Sequence, residues 1–287
     1  MISLVSSVLR NGEDDMTQLY ALRTIENISS QGGYWAARFI SQDVISNLCY
    51  IFRAQGKQES MRLTAGSCLV RLARFNPPSI LRIIEKLSFK DTASSLHKGS
   101  PREQQIRLNL LNMAMLEITN IGKYLLSLAE DKNLVPNLIS LIEQGSEILK
   151  GKALIFAALL CKNGKRWLPQ FFCNARLLSN VDRLLKEKDS YLKLCLDAFA
   201  HTVASVVPGL LETITGEIQQ SSGGRRRMQF AGLASRNSAK SNINLFPVIL
   251  NLLGSCLFKH RVVDSGVLQQ FANLLRLAES PFQVDII

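Results

Sequence analysis

The chain has 287 residues, 47% of them hydrophobic, which excludes a fully disordered polymer. A single compact core is near its practical limit at this length, which leaves two domains or an elongated repeat array. Lys and Arg number 34 against 23 Asp and Glu, a net charge of +11 that points to anionic partners.

Taken in order along the chain, the elements are helical. The opening MISLVSSVLR lacks the basic start and long apolar stretch of a signal peptide and reads as the last helix of an earlier repeat unit. Glu13, Asp14 and Asp15 precede a helix starting near Met16, where a carboxylate caps the N-terminus and favours the helix dipole. Within that helix LYALRTIENI places apolar residues three and four apart. The same spacing predicts helices over Met61–Phe75, Ile106–Ile118, Leu149–Cys161, Tyr191–Val207 and Leu245–Leu257. Gly32-Gly33, Pro77-Pro78, Pro101, Asn163-Gly164 and Gly223-Gly224 separate the runs, and no alternating strand pattern with hairpin turns intervenes. The chain is predicted to be all-α.

The helices repeat. NLVPNLISLIE, from Asn133, aligns with ARLLSNVDRLLK, from Ala175, so that Leu134 falls on Leu177, Leu138 on Val181 and Leu141 on Leu184. A shift of 90 places Val181 on Phe271 and Leu184 on Leu274, and the same shift backwards places Leu138 on Leu48. The period is about 43 to 45 residues, inside the armadillo/HEAT range. Each unit's amphipathic helices bury their apolar faces by stacking on neighbours. The expected architecture is a single armadillo/HEAT-like α-solenoid over 1–287, of about six repeats. The aligned segments are expected as the third helix of their units, on the concave side, and Leu138, Val181 and Phe271 are expected to be buried. Both ends read as those of a piece of a longer solenoid.

One stretch departs from the pattern. Ser221 to Asn242, SSGGRRRMQFAGLASRNSAKSN, is rich in Ser, Gly and Asn and reads as a flexible basic loop at 221–242. The 46 residues between Glu217 and Asp264 hold no Asp or Glu. They hold Arg225, Arg226, Arg227, Arg236, Lys240, Lys259 and Arg261, so +7 of the +11 is local. These seven residues are the candidate site for an anionic partner, whether acidic protein tails, acidic lipid or nucleic acid. Phe230 is the one aromatic residue within the loop, which disfavours base-specific reading of nucleic acid.

Catalytic and cofactor motifs are missing. The Gly-Lys pairs at 56, 122, 151 and 164 are followed by Gln, Tyr, Ala and Arg, so none closes a phosphate-binding loop. G-x-G-x-x-G, G-x-S-x-G, H-R-D and D-F-G do not occur. His97, His201 and His260 have no second His three or four residues away to form a metal face. His201 reads as a half-buried helix residue and His260 as part of the basic patch. Cys49, Cys68, Cys161, Cys173, Cys195 and Cys256 form no C-x-x-C pair and read as buried, reduced thiols of an intracellular protein. Trp35 and Trp167 each stand after a repeat's second helix and read as core anchors. Each has Phe, not Asn, four residues on, so the W-x-x-x-N clamp by which nuclear-import armadillo proteins hold basic peptides is absent. The longest apolar run, Ala153–Cys161, has nine residues and is too short to span a bilayer. No catalytic residue, cofactor or metal is expected.

Longer strings carry a resemblance. ALRTIENISSQGGYWAARFISQDVISNLCYIFRAQGKQESMRLTAGSCLVRLARFNPPSI, PREQQIRLNLLNMAML, NLVPNLISLIEQG, GKALIFAALLCKN and KEKDSYLKLCLDAF resemble the armadillo/HEAT region of plant Fused-type serine/threonine kinase-like proteins. The resemblance runs to about Phe282 and leaves the family pattern at Gln283–Ile287. It implies a microtubule-associated regulator of the phragmoplast during cell division, with tubulin and cytokinetic kinesins as partners and a cytoplasmic, cytoskeletal location on phragmoplast and spindle. The family's kinase-like domain is not among these residues, so no ATP-binding or phosphotransfer residue carries over. A basic solenoid that binds anionic lipid or nucleic acid is the alternative.

Overall fold

The computed structural model describes residues 2–11, 14–224, 245–263 and 265–277. Among the described residues there are eighteen α-helices and no strand, as the spacing predicts. They fall into two compact units, Met1–Leu159 and Leu160–Ile287.

The first unit holds α1 (Ile2–Asn11), α2 (Asp15–Ser30), α3 (Gly33–Ala37), α4 (Gln42–Arg53), α5 (Glu59–Phe75), α6 (Ser79–Leu87), α7 (Phe89–Ser94), α8 (Pro101–Glu117), α9 (Gly122–Leu128), α10 (Leu134–Gln144) and most of α11 (Glu147–Asn163). Local chemistry starts several of them. Asp14 caps α2, accepting from the Thr17 N–H at 2.7 Å and from its hydroxyl at 2.7 Å. Those bonds, the backbone one foremost, hold the Asp14 carboxyl below its usual range. Glu13 lies outside the described residues. Ser41 caps α4 through the Val44 N–H, and Pro101 opens α8 at a position where its missing N–H costs nothing.

Two layers form. Helices α2, α5 and α8 stand side by side, and α1, α4 and α6 pack against them and against one another in the same order. Helix α1 therefore stands to α2 as α4 stands to α5: it is the partner of α2, not the last helix of a preceding unit. Helix α5 is wedged between α2, α4 and α8, and eleven of its residues are buried, Cys68, Leu69 and Leu72 completely. Gly66 permits this approach, because a Cβ there would lie 2.8 Å from the Phe52 ring and 2.9 Å from Ile106.

The second unit holds α12 (Trp167–Phe172), α13 (Ala175–Leu184), α14 (Ser190–Ala204), α15 (Val207–Gly224), α16 (Phe246–Gly254), α17 (Lys259–Val262) and α18 (Ser265–Leu277). Asn174 caps α13 through the Arg176 N–H, and Asp189 caps α14 through the Leu192 N–H. The core centres on three rings: Phe172 lies 6.1 Å from Phe199 and 5.6 Å from Phe258, and Phe199 and Phe258 are 5.6 Å apart. Asn251 Nδ2 donates to the Phe172 carbonyl at 2.9 Å, which ties α16 to the end of α12.

The long helices α2, α5, α8, α11 and α14 begin at 15, 59, 101, 147 and 190, so the repeat period holds across them. The register within a unit differs from expectation. Leu134–Gln144 and Ala175–Leu184 are second helices, each followed by a longer third one. Trp35 and Trp167 accordingly open the first helix of the next unit. Leu138 and Val181 are fully buried as expected, but Phe271 is half-buried, because α18 packs chiefly on α15. His201 is exposed rather than half-buried: Leu196, Phe199, Ala200 and Val203 take the inward face of α14. Ser221–Gly224, expected as the start of a loop, continue helix α15. Residues 190–216 contain an 18-residue stretch with a mean hydropathy of 1.6, long and apolar enough, by composition alone, to cross a membrane. They are two helices, α14 and α15, separated at Ser205–Val206, and Leu196, Phe199, Val207 and Leu211 are buried within the unit.

Four cysteines, Cys49, Cys68, Cys161 and Cys195, are buried as expected, whereas Cys173 and Cys256 are exposed. Cys173 caps the end of α12 and Cys256 follows α16, positions where no helix face turns them inward. Burial raises the Cys68 and Cys161 thiols and pushes Cys49 up to about 12, against the pull of Lys86 and Arg53. Titration of the native chain with a thiol reagent near pH 8 is expected to label two thiols quickly and four only after unfolding. Rapid labelling of all six would contradict the packing of α5 and α11.

Candidate interaction surfaces

The basic stretch is the first candidate. Arg225, Arg226, Arg227, Arg236 and Lys240 lie outside the described residues. Lys259 and Arg261 are exposed on the short helix α17. Arg261 Nη2 pairs with Asp197 Oδ1 of α14, so its charge has a counterion in the fold, 64 residues away in sequence. His260 is exposed between them. Lys259 therefore stands in the described fold as an exposed cation of the predicted set, and Arg261 stands as part of the α14–α17 contact.

A second surface was not singled out by sequence. Helices α2, α5 and α8 border a cleft of about 440 Å³. Three arginines, Arg71, Arg74 and Arg102, and one carboxylate, Glu26, line it, with Gln105 and Asn109 from α8. Arg71 binds the neighbouring helix: its Nη2 lies 3.7 Å from Glu26 Oε1, and its Nη1 donates to the Glu26 carbonyl at 3.4 Å. Arg102 Nη2 donates to Ser67 Oγ at 3.3 Å, and Lys152 Nζ donates to Asn109 Oδ1 at 2.6 Å. A polar seam thus crosses from one third helix to the next. The signal was present as arginines and amides at about one repeat's spacing, but no motif marks it.

One aromatic ring lines the cleft, and the helix that meets it, α3, carries two more. Phe75, which lines the cleft, is 42% exposed. Gly33, the first residue of α3, sits against the Phe75 ring, within 3.4 Å of where its Cβ would be. Next along α3, Tyr34 is 66% exposed and Trp35 41% exposed, their rings edge-on with centroids 5.3 Å apart. The Arg38 guanidinium lies over both, 4.9 Å from the Tyr34 centroid and 5.5 Å from that of Trp35, and Arg38 Nη2 donates to the Tyr34 hydroxyl at 2.6 Å. Trp35 is therefore not a core anchor, although Trp167 is, at 1% exposure. Helix α3 ends at Ala37, and it is Ala36 and Phe39 that enter the core. Trp35 and Phe39 never share a helical face, as Trp167 and Phe171 do on α12.

Below the cleft, on the other side of α8, an ion network is buried. Glu103 Oε1 accepts from Arg62 Nη2 at 2.8 Å and from Arg107 Nη2 at 2.5 Å, and its side chain is 4% exposed. Arg62 Nε donates to the Phe52 carbonyl and Arg107 Nη1 to the Ser95 carbonyl. Among the described residues no three His, Cys, Asp or Glu side chains converge on a metal position.

Comparison with known proteins agrees with this architecture. Residues 210–286 match a family model described as "Serine/threonine-protein kinase ULK4-like, HEAT repeats". The chain is 64% identical over 99% of its length to the serine/threonine-protein kinase RUNKEL of Arabidopsis thaliana, of which it covers 21%. It is 28% identical over 93% of its length to the mouse serine/threonine-protein kinase ULK4, of which it covers 20%. The chain thus spans about a fifth of the length of these curated relatives. Among solved structures, a designed armadillo repeat protein covers 88% of the chain and 99% of itself, with a TM-score of 0.58 at 16% identity. A second, in complex with the peptide (KR)4, covers 99% of the chain and 96% of itself, with a TM-score of 0.54 at 14% identity. These structural likenesses establish the fold alone. The chain is a helical-repeat region of armadillo/HEAT type, similar over nearly its whole length to part of the RUNKEL and ULK4 kinase-like proteins.

Proposed function

We propose that the chain is a non-catalytic interaction scaffold that associates with microtubules, its basic stretch engaging the acidic tails of tubulin, in the organisation of the phragmoplast during cell division. The observation that carries this reading is the charge distribution: seven Lys and Arg and no Asp or Glu in the 46 residues between Glu217 and Asp264. Such a run sets up a local field that attracts acidic polypeptide. The resemblance to plant Fused-type kinase-like proteins suggests the microtubule and cytokinetic context, with cytokinetic kinesins as further partners on the same scaffold, and the identity with RUNKEL supports a helical-repeat region of such a kinase-like protein. The chain works in the cytoplasm, on phragmoplast and spindle. No ATP-site or phosphotransfer motif stands in these 287 residues, so binding, not chemistry, is the activity assigned to them.

The test is co-pelleting with microtubules. Exposed charge pairs are screened within about 8 Å at physiological salt, so association should weaken steeply as salt rises. The triple variant Arg225→Ser/Arg226→Ser/Arg227→Ser should pellet markedly less than the parent with an unchanged melting temperature. Equal pelleting of variant and parent at low and physiological salt would remove the arginines from the contact. Preferential binding to acidic liposomes or RNA would replace microtubules as the partner.

A further inference from the structure

We propose that the cleft between α2, α5 and α8 is a docking groove for an acidic peptide segment, with an apolar side chain of that peptide seated on the Tyr34, Trp35 and Phe75 rim. None of the residues that line the cleft belongs to the 218–263 stretch.

Charge decides the class of occupant. Three guanidinium groups face one carboxylate in the cleft, and the carboxylate, Glu26, is already committed to Arg71. Arg102 spends one donor on Ser67, and a guanidinium carries five in a fixed fork that matches a carboxylate. Arg74 is exposed at the same wall. Donors aimed at an anion are therefore in excess. A basic peptide of the kind bound by the designed armadillo protein would meet like charge here.

The rest of the lining selects peptide over phosphate polymer. Gln105 and Asn109 lie one turn apart on α8; the Gln105 amide offers both a donor and an acceptor, and Asn109, whose Oδ1 already accepts from Lys152, offers its Nδ2 donor. A peptide backbone supplies the matching N–H and C=O, whereas a phosphodiester chain supplies no donor. The rim supplies the anchor. Trp, Tyr and Arg dominate binding hot spots, and here Arg38 already holds Tyr34 through its hydroxyl and covers both rings. A rim fixed before binding loses little entropy when it is covered.

The experiment uses the full 287-residue chain and a short fluorescein-labelled peptide of Glu and Ser with one central Leu. Trp35 is the local reporter, since the second tryptophan, Trp167, is buried. Peptide addition should shift the tryptophan emission, and Trp35→Phe should abolish that shift. The double variants Arg74→Glu/Arg102→Glu and Arg74→Ala/Arg102→Ala should each weaken binding by about tenfold or more, because each lost charge-assisted hydrogen bond is a large term. Both alter exposed residues and should melt like the parent. Arg225→Ser/Arg226→Ser/Arg227→Ser should leave this binding unchanged even where it lowers microtubule pelleting, so the two readings fail separately. The proposal is overturned if the double variants bind the acidic peptide as well as the parent. It is equally overturned if the Trp35 emission does not respond, or if a Lys-containing counterpart or single-stranded RNA binds the cleft in preference.

Discussion

Glu103→Ala should destabilise the first unit by about 3–5 kcal/mol, the cost of leaving buried charge without its counterion. Glu103 is the carboxylate that Arg62 and Arg107 share, and all three side chains are at most 13% exposed. Removing it leaves two buried guanidinium groups without their shared carboxylate, with hydrogen bonds to the Phe52 and Ser95 carbonyls remaining. Gly99 belongs to the same device. Its φ is +81°, and a Cβ there would lie 2.5 Å from Glu103 Oε2, so Gly99→Ala should also destabilise the chain. For a unit of this size, each lost kcal/mol lowers the melting temperature by about 2–4 °C, so the Glu103→Ala effect is plain in a thermal scan. Parent-like melting of Glu103→Ala would mean that the two arginines reach solvent.

Leu138→Asp tests the repeat register in the same way. Leu138 is fully buried on α10, so an aspartate there would bury a carboxylate in an apolar packing position. The loss should be about 4 kcal/mol or more, whereas Leu138→Met, which keeps the volume, should cost less than about 1.5 kcal/mol. Urea unfolding of the two variants side by side separates a packing position from an exposed one. If Leu138→Asp and Leu138→Met unfold together, Leu138 does not face the core.

The fold was legible because each unit repeats the same burial problem. Apolar spacing gave the helices, and offsets near one period gave their stacking. The order of helices within a unit was misread for a physical reason. Second helices such as α10 and α13 have one wet face and one dry face, so their pattern is sharp. The third helix α5 is enclosed by neighbours nearly all round, so its residues show little contrast, and the sharper second helix is the one a repeat alignment finds. The two tryptophans show the limit of local pattern. Both begin W-x-x-x-F, yet α3 stops at Ala37 and turns Trp35 outward while α12 runs on to Phe172. Nothing in either string states where the helix ends.

The interaction surfaces were legible only as charge. The run of arginines before Phe230 stands out in one dimension. Arg71, Arg74 and Arg102 do not, because α5 and α8 bring them together from separate repeats. The counterion of Arg261, Asp197, is likewise 64 residues away. The Arg62–Glu103 pair is separated by 41 residues, close to one repeat, so the period itself held the clue that these residues are neighbours.

The most direct test of the scaffold reading compares intact microtubules with microtubules whose acidic tubulin tails have been removed by limited proteolysis. The 287-residue chain should co-pellet with the intact lattice at low salt, lose most of that association on the tail-less lattice, and lose it on both as salt rises. Equal pelleting with intact and tail-less microtubules, insensitive to salt, would contradict an account in which basic charge on a helical-repeat scaffold recognises an acidic partner.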